Sequence, residues 1–213
     1  MEYEIRFYYP IEEYDNKLEK LKNIEGLSYG GKKYEITSQY DHPSESMSFY
    51  SKKVDGRFRI RKTVGDDSSK CMLSWKRRLP STTESNVNKE EEVEITIKPE
   101  EYDNLIFLVN DVLHMKDVEV YERYRTVFFN GEIEIVLDEY PFGLALEIEA
   151  KKEIDNPEAV IDKYVKLLEL DYNDSYRLSW DDKYGELCKE QNIEAFNKVL
   201  FANKMPKIKN DLI

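Results

Sequence analysis

Rows of like charge, spaced two residues apart, are what could do chemistry in this sequence. Glu2 and Glu4, then Glu90, Glu92 and Glu94, then Glu147 and Glu149 form acidic rows. Arg57, Arg59 and Arg61, then Lys76 and Arg78, then Arg123 and Arg125 form basic rows. A spacing of two puts side chains on one face of a β-strand. Clustered carboxylates suit hard cations such as Mg²⁺ or Mn²⁺. Arginine and lysine hold phosphate oxygens by charge-assisted hydrogen bonds. Both kinds of row around one space would fit a polyphosphate with bound metal, and the chemistry would be in-line attack by an activated water. On a single strand, such a row is simply what a half-solvated strand looks like. Repeated on strand after strand, like-charged rows repel unless opposing rows or a ligand neutralise them.

The elements that must position these rows are strands with a charged face and an apolar face. Period-two alternation predicts strands over residues 2–9, 34–40, 54–63, 70–78, 89–97, 118–129, 132–139 and 144–150. Helical spacing predicts helices over 11–24, 98–112, 157–170 and 181–202. Gly30-Gly31, Asn130-Gly131 and Pro141-Phe142-Gly143 read as turns, and 80–88 as a polar loop. The order predicts an α+β domain dominated by antiparallel hairpins. An eight-stranded antiparallel β-barrel with the charged faces inward resolves the repulsion. Helices would then flank the outside, with a helical C-terminus. Phe7, Phe58, Trp75 and Phe128 belong to the core under the helices, and alternation turns Lys62 and Arg77 outward.

Composition agrees with interior charge. The 213 residues carry 32 Lys plus Arg against 44 Asp plus Glu, a net charge of −12, with 36% charged and only 40% hydrophobic residues. Aromatic residues at 13%, with 16 Tyr, exclude a disordered chain. The acidity argues against a general nucleic-acid binder. Cys71 and Cys188 read as free thiols, and with His42 and His114 they have no zinc-site spacing. No apolar run reaches membrane-spanning length, and MEYEIRFYYP has no signal-peptide core, so a cytoplasmic location is expected. No phosphate-binding Gly-rich loop or Ser/His/Asp arrangement is present.

The ordered set of segments resembles the CYTH, or triphosphate tunnel metalloenzyme, superfamily. Glu2-Tyr-Glu4-Ile-Arg6 stands where that family has E-x-E-x-K, with arginine replacing lysine. Phe58-Arg59-Ile60-Arg61 is similar to its L-R-I-R strand, and Leu73 to Arg78 to its T-x-K strand. Residues 89–94 match the acidic strand loosely, with facing that favours Glu90, Glu92 and Glu94. Glu122 to Arg125 resembles the K-x-R strand, and the closest match is Asp138…Gly143…Glu147-Ile-Glu149. Around Gln39-Tyr40-Asp41 the match to a D-x-Y-F-D-type segment is only partial. The resemblance covers residues 1–190 as one domain, with 191–213 expected as its helical C-terminal extension.

The resemblance implies an eight-stranded antiparallel tunnel with Mg²⁺ or Mn²⁺ as cofactor. Glu2, Glu4, Glu147 and Glu149 would be the metal ligands, brought together by the first and last strands. Asp138 would be a further ligand or would position the water. Glu90 and Glu92 would bind metal or order the basic rows. Arg59, Arg61, Lys76, Arg123 and Arg125 would grip the phosphates, with Arg6 and Arg78 as outlying contacts. Glu2, Glu4, Lys76, Arg125 and Asp138 make up the expected catalytic group. The implied function is hydrolysis of a triphosphate, inorganic or organic, to diphosphate and phosphate. On the same fold a class IV-type adenylate cyclase, a thiamine triphosphatase or an RNA 5′-triphosphatase stays open, and a non-enzymatic polyphosphate or nucleotide binder is the alternative of a different class. The expected partner is a small-molecule triphosphate. No membrane is expected, nucleic acid enters only as an RNA 5′-triphosphate end, and a homodimer is allowed.

Overall fold

The computed structural model describes residues 2–51, 53–65, 69–79, 87–151 and 153–209, Glu2 by its backbone alone. The strands are β1 (Glu2–Tyr9), β2 (Ser28–Asp41), β3 (Gly56–Val64), β4 (Ser69–Arg78), β5 (Asn88–Ile97), β6 (Lys116–Phe129), β7 (Ile133–Tyr140), β8 (Gly143–Ala150) and the two-residue β9 (Lys198–Val199). The helices are α1 (Tyr14–Lys22), α2 (Tyr102–Phe107), α3 (Pro157–Leu167) and α4 (Trp180–Glu190). Neighbouring strands run β2-β3-β4-β5-β1-β8-β7-β6, and a β2–β6 pairing closes the barrel. All these pairings are antiparallel. Each of the eight strands has a neighbour on both sides, although β1 and β5 meet over only three residues, Glu2–Glu4 with Asn88–Glu90. The short β9 pairs in parallel with β6 at Val120 and Tyr121, ahead of the stretch that β7 pairs with.

Alternation decides which face each residue occupies, and the outer faces make the main core. Ile5 and Phe7 of β1, Phe128 of β6, Ile135 and Leu137 of β7 and Leu146 and Ile148 of β8 pack under Leu21 of α1 and Ile161 and Val165 of α3. A second cluster joins Trp180, Tyr184 and Leu187 of α4 to Tyr121, Tyr140 and Phe142 at one end of the barrel. A third lies between Tyr40, Ile60 and Cys71 and the Val109 turn that follows α2. Phe7 and Phe128 are fully buried, while Phe58 is half-buried at the third cluster. Lys62 lies over the outer ring of Tyr102, and Arg77 pairs with Glu91 on the outer surface at 2.8 Å.

Two local expectations change. Gly30-Gly31 makes no turn: it forms a bulge inside the 14-residue β2, where the pairing with β6 shifts register between Tyr29 and Lys32. Gly31 takes a φ of +91°, and the extra residues bend the strand as closure requires. At Asn130-Gly131 the hairpin forms, but the Asn130 side chain closes it by accepting from the Glu132 and Ile133 amides. The helix expected over 181–202 ends at Glu190, where Asn192 turns left-handed at φ 52° and stops it. From 191 to 209 the chain forms turns and β9 rather than helix. The loop expected at 80–88 lies outside the described residues as far as residue 86.

Close packing on the outer wall gives a first prediction. A Cβ on Gly56 would lie 2.2 Å from Cη2 of Trp75. Trp75 is itself held edge-on against Phe49, with ring centroids 5.2 Å apart. Gly56→Ala is expected to destabilise the fold by about 1–3 kcal/mol, read as a lower urea midpoint. An unchanged midpoint would show that the ring can move aside.

Candidate active site in the barrel lumen

The inner faces enclose a cavity of about 660 Å³. That volume suits one small ligand. Glu4 and Arg6 of β1, Arg57, Arg59 and Arg61 of β3, Lys76 and Arg78 of β4, Glu90, Glu92 and Glu94 of β5, Arg123 and Arg125 of β6, and Glu147 and Glu149 of β8 all line it. The basic and acidic rows therefore face one another across a single lumen. Lys70, Glu94, Lys151 and Glu153 line it where it is exposed, whereas Ser179 and Trp180, at the start of α4, are buried. Capping by the Asp182 carboxylate, which accepts from the Ser179 amide and hydroxyl, fixes that start.

The lumen is an interleaved ion network. The register brings Arg6 opposite Glu147 and Glu4 opposite Glu149. Arg6 donates to Glu147 at 2.6 Å and to Glu4 at 3.1 Å, and reaches the Leu178 carbonyl at 3.2 Å. Lys76 bridges Glu4 at 3.1 Å and Glu90 at 2.7 Å. Arg59 faces Glu92 at 3.5 Å, and Arg78 lies between Glu90 and Asp55. Arg125 touches both Asp138, at 2.6 Å, and Glu147, at 3.3 Å.

Asp138 has a different station from the lumen carboxylates. Its side chain is wholly buried, and both of its oxygens accept from guanidinium groups, of Arg125 at 2.7 and 2.6 Å and of Arg123 at 2.8 Å. It anchors the two arginines from behind. Glu35, which no charge row signals, does the same from β2. It accepts from Arg123 at 2.7 Å and lies 3.7 Å from Arg61. Alternation with Tyr34 and Ile36 puts Glu35 inside, but its partners on that face, Thr37 and Gln39, are neutral. Tyr121 and Tyr140 also line the lumen among these groups. For Glu2 only the strand position is described: it pairs with Glu90.

Charge states follow from these contacts. Burial opposes ionisation of Glu4, but Lys76 and Arg6 outweigh it and hold the carboxyl below its ordinary range. Burial likewise works against Glu147 and Glu35, and Arg6 with Arg125 in the first case and Arg123 with Arg61 in the second drive them well down. Arg78 goes the other way: burial and the Arg57 guanidinium lower it, which marks a place with positive charge to spare. Carboxyls whose folded pKa is depressed stabilise the protein above the unfolded value, roughly 4.3 for Glu, and lose that contribution as pH falls through the folded value. The urea midpoint is therefore expected to be flat from neutral pH to about 5 and to fall steadily below about 4.5. A midpoint at pH about 3 equal to that at neutrality would contradict the buried network.

The CYTH domain model matches residues 1–175. The chain belongs to the CYTH domain family. Among solved structures, the CYTH chain is similar to the PH1819 protein from Pyrococcus horikoshii OT3, at 28% identity and a TM-score of 0.64 over 87% of this chain and 99% of that one. It is similar in fold to HpAC1 from Hippeastrum, reported to have a dominant triphosphatase activity, at 20% identity and a TM-score of 0.58 over 92% and 98% of the two chains. A protein from Vibrio parahaemolyticus described as a candidate adenylate cyclase shares the fold at 18% identity and a TM-score of 0.61, over 84% and 96%. No curated relative matches the chain. No helix among the described residues is long and apolar enough to cross a membrane.

The donor set fits a hard divalent cation in its chemistry. Glu4, Glu147 and Glu149 offer only oxygen, from adjacent strands. The present partners of Glu4 and Glu147 are cationic side chains, and among the described residues no three His, Cys, Asp or Glu groups are gathered to hold a metal ion. A cation would have to compete with Arg6 and Lys76 for these oxygens.

Proposed function

We propose that this CYTH protein is a metal-dependent phosphohydrolase that cleaves a small-molecule triphosphate to diphosphate and phosphate. One observation carries the reading: Arg59, Arg61, Lys76, Arg78, Arg123 and Arg125 converge on the barrel lumen, which also holds a carboxylate wall. A linear polyanion is what such a row of fixed donors would bind. The rows would grip the phosphates, with Arg125 and Lys76 nearest the carboxylates where charge is rearranged. Asp138 and Glu35 keep the arginine forks aimed, so their orientation is settled before substrate arrives. Glu2, Glu4, Glu147 and Glu149 would hold Mg²⁺ or Mn²⁺, with Glu90 and Glu92 on the facing strand as further ligands or as organisers of the basic rows. The cation would neutralise charge on the phosphates and lower the pKa of a bound water. As the terminal P–O bond breaks, the negative charge appearing on the leaving diphosphate is met by guanidinium and ammonium groups that need no reorganisation.

A cyclase is the second reading on this fold, supported by the description of the Vibrio structure. The test is a panel of tripolyphosphate, ATP, thiamine triphosphate and triphosphate-ended RNA with Mg²⁺ or Mn²⁺. Phosphate release from one or more of these is the expected result. Pyrophosphate with cyclic AMP from ATP would favour the cyclase, and tight binding without turnover would leave a binding protein.

A further inference from the structure

Tyr121 lies two residues before Arg123 on β6 and also lines the lumen. The register carries it across to Thr37 of β2, and Thr37 on to Arg61 of β3. Gln39 links Glu119 to Arg59 in the next rung, and Glu35 is paired with Arg123 in the one before. The phenol thus sits within the basic staircase. Its ring packs against Trp180, with centroids 4.3 Å apart, and Tyr140, at 6.1 Å, and those two rings stack on each other at 6.0 Å. Only 1% of the residue is exposed.

The groups that face it set its charge. Arg59 and Arg61 act from β3 and Arg123 from β6 itself, Thr37 is its register partner on β2, and β7 contributes Tyr140. Trp180 of α4 adds no charge. Glu119, two residues back on β6, interacts instead with Asp181, Arg57 and Asp182. Burial pushes a phenol upward, as it does for Tyr8 and Tyr140. At Tyr121 burial is outweighed by Arg61, Arg59 and Arg123, which bring the phenol down to about 8.

We propose that the Tyr121 hydroxyl is a substrate-binding group of the lumen, donating a hydrogen bond to a phosphate oxygen held by Arg59, Arg61 and Arg123. This rests on the triphosphate reading of the lumen. A neutral phenol adds a donor without adding charge. Once ionised it has no proton to donate, and its negative charge opposes the polyanion. Binding must weaken as Tyr121 ionises, and by reciprocity a bound phosphate chain must raise the pH of that ionisation.

The test follows tyrosinate ultraviolet absorbance in metal-free protein, with and without saturating tripolyphosphate, in wild type and Tyr121→Phe. Wild type is expected to show an ionisation step near pH 8 that the variant lacks. Tripolyphosphate should move that step up by about one pH unit or more. Tyr121→Phe should bind tripolyphosphate about tenfold more weakly at neutral pH, the loss of one hydrogen bond to a charged group. Its affinity should no longer fall through the pH range of that step. A step that stays in place with tripolyphosphate bound overturns the proposal, as does a variant with unchanged affinity; the first needs no variant. Wild type that takes up no tripolyphosphate overturns the reading of the lumen and this proposal together.

Discussion

Glu147→Gln is expected to lower kcat/KM for tripolyphosphate by about 100- to 1,000-fold, the cost typical of removing one preorganised charged group from an active site. Glu147 is placed where the two kinds of row meet. It accepts from Arg6 at 2.6 Å and from Arg125 at 3.3 Å, and it shares the β8 wall with Glu149. The surrounding cations keep it ionised far into acid. Glutamine keeps the shape and removes the charge. The fold should survive, because Arg6 keeps Glu4 and the Leu178 carbonyl and Arg125 keeps Asp138. A stability loss of only about 1–3 kcal/mol is expected, that of weakened hydrogen bonds to charged groups. Steady-state phosphate release beside a urea titration separates the two effects. Turnover within about twofold of wild type, at a cost far below that expected of an essential group, would remove Glu147 from the chemistry.

Asp138→Asn should show the opposite balance, with stability taking the larger loss. The carboxylate has no solvent exposure and neutralises two guanidinium groups. Breaking a buried pair from one side leaves unpaired buried charge and costs about 3–5 kcal/mol. For a chain of this size that is a fall in melting temperature of roughly 6–20 °C. Asparagine also turns an N–H toward Arg123 or Arg125 where an oxygen stood. Tripolyphosphate should restore part of the loss, because an anion that binds the folded state returns negative charge beside the same arginines. Thermal melts with and without the anion check both parts. A variant that melts with wild type would mean that Asp138 is not the anchor of the pair.

How much of this was legible in the sequence depends on how each residue advertises its face. Rows such as Arg57/Arg59/Arg61 or Glu90/Glu92/Glu94 announce themselves because like charges at spacing two, repeated on strand after strand, need opposing rows or a ligand to neutralise them. The lumen, the barrel and most of its lining follow from them. Glu35 and Tyr121 were hidden for the same reason in reverse. Glu35 shares its face with neutral Thr37 and Gln39, and Tyr121 looks like one more core aromatic on a strand. The closing β2–β6 register, a long-range pairing, puts Glu35 beside Arg123 and carries Tyr121 across to the arginines of β3. Asp138 was expected from the resemblance as a metal ligand or a residue positioning the water; its place behind Arg123 and Arg125 was not legible, because it depends on the β6–β7 register. The Gly30-Gly31 pair reads as a turn locally and becomes a bulge because the barrel needs curvature there.

The central claim is that the lumen, and not the outer surface, binds a triphosphate. A crystal structure with a non-hydrolysable triphosphate analogue tests it most directly. The account predicts the phosphate chain inside the barrel, within hydrogen-bonding distance of Arg59, Arg61, Arg123 and Arg125, with Lys76 released from Glu4 or Glu90 toward it. An analogue bound outside the barrel, or a lumen whose ion pairs are unchanged at saturating analogue, would contradict it.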